Sequence, residues 1–325
     1  MLRFGILGCA RIVRRAIAGA LARAPSAIWH GIAGRNQATT RAWAVEFGVP
    51  RSYDSYDALI ADREIDAVYI PLPNEMHRTW ALRAAAAGKH VLCEKPLALD
   101  AADARAIVDG CRQAGVVLME AFMWRHHPRV AAARRMLTEG KLGTLRLVKM
   151  DFSFRIDSTD WRLDPARGGG ALFDLGCYGI NISRYFTGAE PSEIYARARY
   201  LKPGVDLTLG MELTFPGDVL SLLDCSFECH DRNRFELVGT EGSLEFPGGV
   251  LPAEKATLVV HRGPEREVIE FAAADQYAEM IECFCRSVAA KRLEAPAEDG
   301  LANMLVVEQV RDTAARAAKC QIKDI

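Results

Sequence analysis

No apolar stretch of this 325-residue chain approaches the roughly 20 residues that span a bilayer, so a membrane-spanning helix is not expected. Charge of one sign is also missing. The 41 Lys and Arg against 42 Asp and Glu leave a formal net charge of -1. Nucleic acids and anionic membranes both call for a basic surface, so neither is an expected partner. The nine cysteines follow no framework. Cys283 and Cys285 are close, but no CxxC pair or Cys/His cluster with zinc spacing occurs. Reduced thiols buried as small hydrophobes are the expectation. The opening stretch "MLRFGILGCARIV" carries charge inside its apolar segment and lacks the layout of a signal peptide. A cytoplasmic protein is expected. Internal repeats and low-complexity segments are absent.

What remains is a chain that is 50% apolar and 26% charged, long enough for two ordinary domains. Its first 120 residues alternate short apolar runs with helical patterns. "LRFGILG", "AIWHGIAGR", "IDAVYIPLP", "HVLCE" and "VVLME" read as strands. Between them lie "ARIVRRAIAGALARA", "TTRAWAVEFG", "NEMHRTWALRAAAAGK" with Asn74 as its N-cap, and "DAADARAIVDGCRQAG" capped by Asp100. This order predicts βαβ units and a parallel sheet covered on both faces. Ligands of such sheets bind beyond the carboxyl ends of the strands. Gly8, Arg35, Pro71, Lys95 and Glu120 all fall there.

The first of these ends, "GCARIV", has the shape of a G-x-G-x-x-G phosphate turn. Gly8 stands, while Ala10 and Val13 replace the second and third glycines. A tight turn feeding a helix N-terminus offers N–H groups and a favourable dipole to pyrophosphate. Gly8, Cys9, Ala10, Arg11 and Ile12 form this candidate turn; Arg11 either reaches the phosphates or stays solvated. The second strand ends in Gly34 and Arg35, without the acid that bonds a ribose 2′-OH. Arg35 is either a surface charge or the partner of a 2′-phosphate. The second reading favours NADP(H), with NAD(H) as the other candidate. Pro71, Leu72, Asn74, His77, Glu94 and Lys95 complete the cofactor-side candidates. His77, three residues past Asn74, reads as structural or cofactor-adjacent rather than catalytic.

After Glu120 the pattern changes to strict alternation, as in "TLRLVKMDFSF" and "DLTLGMELTF". "VLSLLDCSFEC", "RFELVG", "SLEF", "ATLVV" and "EVIEF" continue it. An open, mostly antiparallel sheet with one buried face is expected. Its other face is either solvated or the surface of a homodimer or higher homo-oligomer. One helix stands out, Gly168 to Gly188. At 3.6 residues per turn, Asp174, Tyr178, Asn181 and Tyr185 share a face opposite Leu172, Leu175, Gly179, Ile182 and Phe186. The polar stripe is either a solvated outer face or a proton-handling pair of carboxylate and phenol. The preceding triple glycine allows a close approach by something.

The blocks "FGILGCARI", "PLPNEMHRTWALRAAAAGKHVLCEKPLA", "EAFMWRHHP", "WRLDPARGGGALFDLGCYGIN" and "DQYAEMIECF" together resemble the glucose–fructose oxidoreductase / inositol dehydrogenase (Gfo/Idh/MocA) family. The resemblance implies a Rossmann dinucleotide-binding domain over residues 1–120. A substrate-binding and oligomerisation α/β domain with an open sheet would follow over 121–325. It also implies NAD(P)-dependent hydride transfer with a sugar, polyol or related alcohol. Lys95 of Glu-Lys-Pro carries over as a catalytic residue beside the nicotinamide, and a cis bond before Pro96 is one way of aiming it. Asp174 matches the family aspartate. Tyr178 stands where many members have histidine and Asn181 where others have aspartate. Both resemble the branch with NADP-dependent xylose dehydrogenase and dimeric dihydrodiol dehydrogenase.

On this reading Lys95 takes the hydroxyl proton directly or holds the hydroxyl while Tyr178 passes the proton on. Desolvation and a cationic oxidised ring both disfavour its ammonium form. Asp174 would bond hydroxyls or orient its neighbours. Trp124, Arg125, Phe154, Trp161 and Asn181 are the substrate-side candidates; Trp124, Phe154 and Trp161 either stack on a sugar or fill core. The neighbouring His126 and His127 lack further ligands, and no metal is expected. Two rivals remain: an NADPH-dependent reductase of keto sugars or diketones, and a non-catalytic NAD(P)-binding regulator. The intact Lys95, Asp174 and Tyr178 argue against the regulator.

Overall fold

The computed structural model describes residues 1–252, 255–291 and 297–317. Apolar runs at the start of the chain do become strands closed by helices. β1 (Leu2–Leu7) buries Phe4, Ile6 and Leu7 to at most 1% exposure. Full burial of such a side chain is worth about 1.5–3 kcal/mol. A wide turn over Val13–Ile17 leads into α1 (Ala18–Arg23). β2 (Ala27–Ala33), α2 (Gln37–Glu46), β3 (Arg51–Tyr53), α3 (Tyr56–Ala61) and β4 (Ala67–Ile70) follow. Next come α4 (His77–Ala86), β5 (His90–Cys93), α5 (Ala101–Gln113) and β6 (Leu118–Glu120). Local caps start several of these helices: Asn36 accepts from Thr39 N, Ser55 from Ala58 N and Asp100 from Asp103 N.

The six strands form one parallel sheet in the order β3-β2-β1-β4-β5-β6. That is the doubly wound dinucleotide-binding order, which reverses beside β1. β3 is an addition to the five strands read from sequence. It has three residues, two of them exposed, and carries no periodicity to detect.

Beyond β6 the chain forms α6 (Pro128–Thr138), β7 (Leu145–Ser153) and α7 (Cys177–Thr187). Then come β8 (Glu193–Lys202), β9 (Val205–Phe215), β10 (Val219–Ser226), β11 (Arg232–Gly239), β12 (Ser243–Pro247), β13 (Ala256–Arg262) and β14 (Glu265–Phe271). They make an eight-stranded sheet, β14-β13-β12-β11-β7-β10-β9-β8. Every pairing is antiparallel except β7 with β10. The expected alternation holds: Leu207, Leu209, Met211, Leu213 and Phe215 are buried, Glu212 and Thr214 partly exposed. β8 was not legible, because this edge strand buries only Ala196 fully.

α7 lies on the buried face of that sheet through two glycines. A methyl group on Gly176 would meet Cys225 Sγ at 3.1 Å, and one on Gly179 would meet Met150 Sδ at 3.2 Å. α8 (Gln276–Ala290) and α9 (Glu298–Ala317) close the chain. The compact units are Met1–His126 with Asp275–Leu301, and His127–Ala274 with the residues from Ala302 onward. The first unit therefore extends past residue 120, and α8, expected within 121–325, packs with it. Phe284 of α8 meets Phe4 at 5.7 Å between ring centroids, and Asp275, the α8 cap, pairs with Arg23.

Candidate active site

In the first unit, β1 delivers Gly8 at φ +112°, where a side chain would be strained and its methyl would press on Leu72 at 3.0 Å. Gly8 N donates to Ala33 O at 2.7 Å, tying the turn to the end of β2. Cys9 and Ala10 are half-buried, and Val13 N donates to Ala10 O as the helix begins. Val13, in the third glycine place, is fully buried in the core. Ile12 is half-buried and Arg11 exposed. At the end of β2, a methyl on Gly34 would meet Thr40 Oγ1 at 2.5 Å and Cys9 Sγ at 3.2 Å. Glycine there lets the two strand ends close on each other.

Arg35 is exposed beside this turn. Burial pushes the Tyr56 hydroxyl up, and the nearby Arg35 guanidinium offsets part of that. Sequence reasoning missed Tyr56, since nothing local marks a tyrosine at a helix start as a neighbour of Gly8. The donor set fits a dinucleotide: a turn that glycine alone enters without strain, a helix N-terminus, and an exposed arginine where an acid would select the 2′-hydroxyl.

The ends of β4 and β5 hold the second group. Pro71, Leu72 and Asn74 are buried, and His77 is fully enclosed. His77 Nε2 lies 2.8 Å from Leu72 O and Nδ1 lies 3.0 Å from Pro96 O. Burial lowers the proton affinity of His77, against the pull of those carbonyls. The imidazole thus pins the turn after β4 to the turn after β5. Lys95 stands in the latter, half-buried, before a cis bond to Pro96. Glu94 accepts from the buried Tyr69 hydroxyl, and Glu120 accepts from Leu97 N at 2.8 Å. Tyr277 of α8 also belongs here. Burial pushes its hydroxyl up to about 12, and Glu94 adds to that, while Arg15 and Lys95 oppose it. The "DQYAEMIECF" block contained this tyrosine, but only the fold brings it to Lys95.

The second unit places Asp174, Tyr178 and Phe154 in one patch, around an arginine that sequence reasoning left unassigned. Arg162 donates to Asp174 Oδ2 at 2.7 Å and reaches Asp160 at 3.3 Å. Burial works against the Arg162 charge, but those carboxylates outweigh it and raise its affinity for the proton. Its guanidinium stacks over Phe154 at 5.9 Å; Phe154 meets Phe152 at 6.4 Å, and Phe152 meets Tyr178 at 6.0 Å. Trp161 is half-exposed under Arg167 at 5.2 Å.

The polar stripe expected on this helix is altered. Leu172–Gly176 forms a wide π-turn, so the 3.6-residue spacing does not carry through from Asp174 to Tyr178. Tyr178 is only 6% exposed and Asn181 is fully buried. Asn181 Nδ2 donates to Asn303 Oδ1 of α9 at 3.3 Å, an internal hydrogen bond rather than a solvated face. Trp124 is 1% exposed, and Arg125 pairs with Asp299 at 2.7 Å. As they stand, Trp124 and Asn181 offer no surface to a ligand. His127 caps α6 by accepting from Arg129 N, and burial lowers its imidazole to about 4. Among the described residues no group of His, Cys, Asp and Glu is arranged to hold a metal ion.

Comparison with known proteins agrees with this layout. Residues 2–122 match the oxidoreductase family with an NAD-binding Rossmann fold, and residues 130–245 match the GFO/IDH/MocA C-terminal domain. The chain is 35% identical to D-xylose 1-dehydrogenase (NADP(+)) 2 of Haloferax volcanii, over 98% of this chain and 99% of that protein. It is 34% identical to trans-1,2-dihydrobenzene-1,2-diol dehydrogenase of Bos taurus, over 73% of this chain and 70% of that one. A 3-ketoreductase from Actinomadura kijaniata, solved with NADP and TDP-benzene, superposes with a TM-score of 0.90. Its identity is 32%, covering 96% of this chain and 97% of that one. The chain belongs to the Gfo/Idh/MocA family of NAD(P)-dependent oxidoreductases.

Proposed function

We propose that the protein is an NADP(H)-preferring aldose dehydrogenase that oxidises the ring C1 hydroxyl of a xylose-type sugar to a lactone. The observation that carries this reading is the setting of Lys95, in a turn fixed by His77 and Glu120 at the end of β5. Bound at the Gly8 turn, the dinucleotide supplies the hydride acceptor. Gly8, Cys9, Ala10, Arg11 and Ile12 would hold its pyrophosphate and Arg35 its 2′-phosphate. Pro71, Leu72, Asn74 and Glu94 would line its nicotinamide end. Lys95 or Tyr178 takes the hydroxyl proton as the C1 hydride leaves. Asp174, paired with Arg162, accepts hydrogen bonds from sugar hydroxyls and holds the ring in place. Phe154 and Trp161 supply apolar faces.

The xylose dehydrogenase and the dihydrodiol dehydrogenase among the relatives support an oxidative role for an alcohol carbon. The 3-ketoreductase favours the reverse reading, reduction of a keto sugar by the same residues. Among the described residues the cysteines are all free and no helix is long and apolar enough to cross a membrane, which fits work in the cytoplasm. A second copy is proposed to cover the outer face of the second sheet. Leu222 and Tyr195 on that face are 42% and 61% exposed. Light scattering that finds a monomer would remove that part.

The test is a screen of xylose, glucose, other aldoses and a trans-dihydrodiol with NADP+ and NAD+, followed at 340 nm. Turnover of an aldose with NADP+ supports the reading. Turnover only of keto sugars with NADPH would replace it by the reductase.

A further inference from the structure

The helical segment that carries Asp174 and Tyr178 starts without a local cap. Ala171 stands at its N-terminal boundary and has no side-chain acceptor to offer. The first amides of a helix have no intrahelical partners, so they need acceptors from elsewhere. Asp206, at the start of β9, provides one. Its Oδ2 accepts from Leu172 N at 2.8 Å, and Ala171 N and its own N–H also donate to the carboxylate. The side chain is 6% exposed.

The triple glycine is what lets this carboxylate in. Gly170 sits at φ +114°, and a methyl there would lie 2.2 Å from Asp206 Oδ1. The opposite side of the turn is held by backbone: Gly170 N donates to Arg162 O at 2.9 Å and Gly169 N to Asp164 O at 3.0 Å. A methyl on Gly169 would meet Arg162 O at 2.5 Å. At the tip of the β8–β9 hairpin, a methyl on Gly204 would touch Pro165 at 3.1 Å. The loop that presents Arg162 and the helix that presents Asp174 are therefore joined at Gly169–Gly170 and locked there by Asp206.

Burial pushes the Asp206 carboxyl up to about 6, against the pull of its three backbone N–H donors. Tyr200 on β8 and Cys225 on β10 also feel its charge. An ionised carboxylate at such a place works against stability, and a neutral acceptor of similar size would cap the amides at less cost.

We propose that Asp206 is a positioning residue: by accepting the Ala171 and Leu172 amides it sets the helix start, and so the direction in which Asp174 meets Arg162 and substrate. This rests on the reading of Asp174 as a substrate-holding group. Asp206→Asn keeps the shape and one acceptor oxygen, but turns an NH2 toward amide donors. The expected result is a kcat at least fivefold lower at pH 7.5, NADP+ affinity within twofold, and a Tm equal to or above that of the unmodified protein. Asp206→Ala should lower kcat further. A purely structural Asp206 would make kcat per folded molecule indifferent to the change, and an unaltered kcat in Asp206→Asn overturns the proposal. Amide hydrogen exchange at residues 171–178 decides it independently of turnover. Faster exchange there in Asp206→Asn, with the β-sheet amides unchanged, supports it; identical exchange overturns it, even if no aldose proves to be a substrate.

Discussion

Arg162 and Asp174 form a partly buried ion pair at 2.7 Å, between a loop and the helix that follows it. The pair joins the "WRLDP" stretch to the "GGGALFD" stretch and sets a guanidinium against the carboxylate. On the proposed reading Asp174 serves as a hydrogen-bond acceptor for the sugar. Removing one member of such a pair leaves the other uncompensated, at about 2–3 kcal/mol once partial exposure is allowed for. Arg162→Ala is expected to lower kcat/KM for the sugar by roughly 10²-fold, with NADP+ binding retained. Steady-state kinetics with separate cofactor titration checks this; equal losses in both would point to a general folding defect.

On the proposed reading Arg35 discriminates between the two cofactors. A charge-assisted bond to a 2′-phosphate is worth about 1.5–3 kcal/mol. Arg35→Ser should raise the KM for NADP+ by roughly 10- to 100-fold and change that for NAD+ less than threefold. An equal rise for both dinucleotides would mean that Arg35 does not meet the 2′ position.

Asp206 should also show in the pH dependence of stability. Its folded carboxyl titrates at about 6, above the ordinary aspartate value of 3.8, because it is buried. The folded state therefore holds the proton more tightly than the unfolded chain. The stabilisation this gives is complete below the unfolded value and is lost as pH rises from about 4 to about 6. Two pH units of difference correspond to about 3 kcal/mol. Urea unfolding of Asp206→Asn against the unmodified protein should therefore favour the variant increasingly from pH 4.5 to pH 7. A constant difference across that range would show that the carboxyl titrates normally.

Much of this layout was legible because it depends on local pattern. Period-two alternation marks the buried face of β7 and β9, and short apolar runs ending in glycine, proline or charge mark the strand ends that hold Gly8, Arg35 and Lys95. Periodicity reports which face is buried but not what lies against it. Hence the "DQYAEMIECF" block, noted only for its resemblance, gives no sign of its return to the first unit, which brings Tyr277 near Lys95. The same limit hid Asp206, Asn303 and Tyr56, each of which acts on residues far away in sequence. The π-turn at Leu172–Gly176 was hidden for another reason. It arises where Gly176 and Gly179 let the helix sink onto Cys225 and Met150, a packing event that a 3.6-residue spacing does not contain. β3 and β8 are edge strands with few buried side chains and so carry little pattern.

The central claim is that the Lys95 amine, and not merely the cofactor site around it, drives the chemistry. Lys95→Met keeps the length and apolar stem of the side chain and removes its amine. Turnover of the best aldose and NADP+ affinity should be measured on the same preparation. The account predicts a dissociation constant for NADP+ within a fewfold of the original and a kcat lower by orders of magnitude; near-normal turnover in the variant would contradict it.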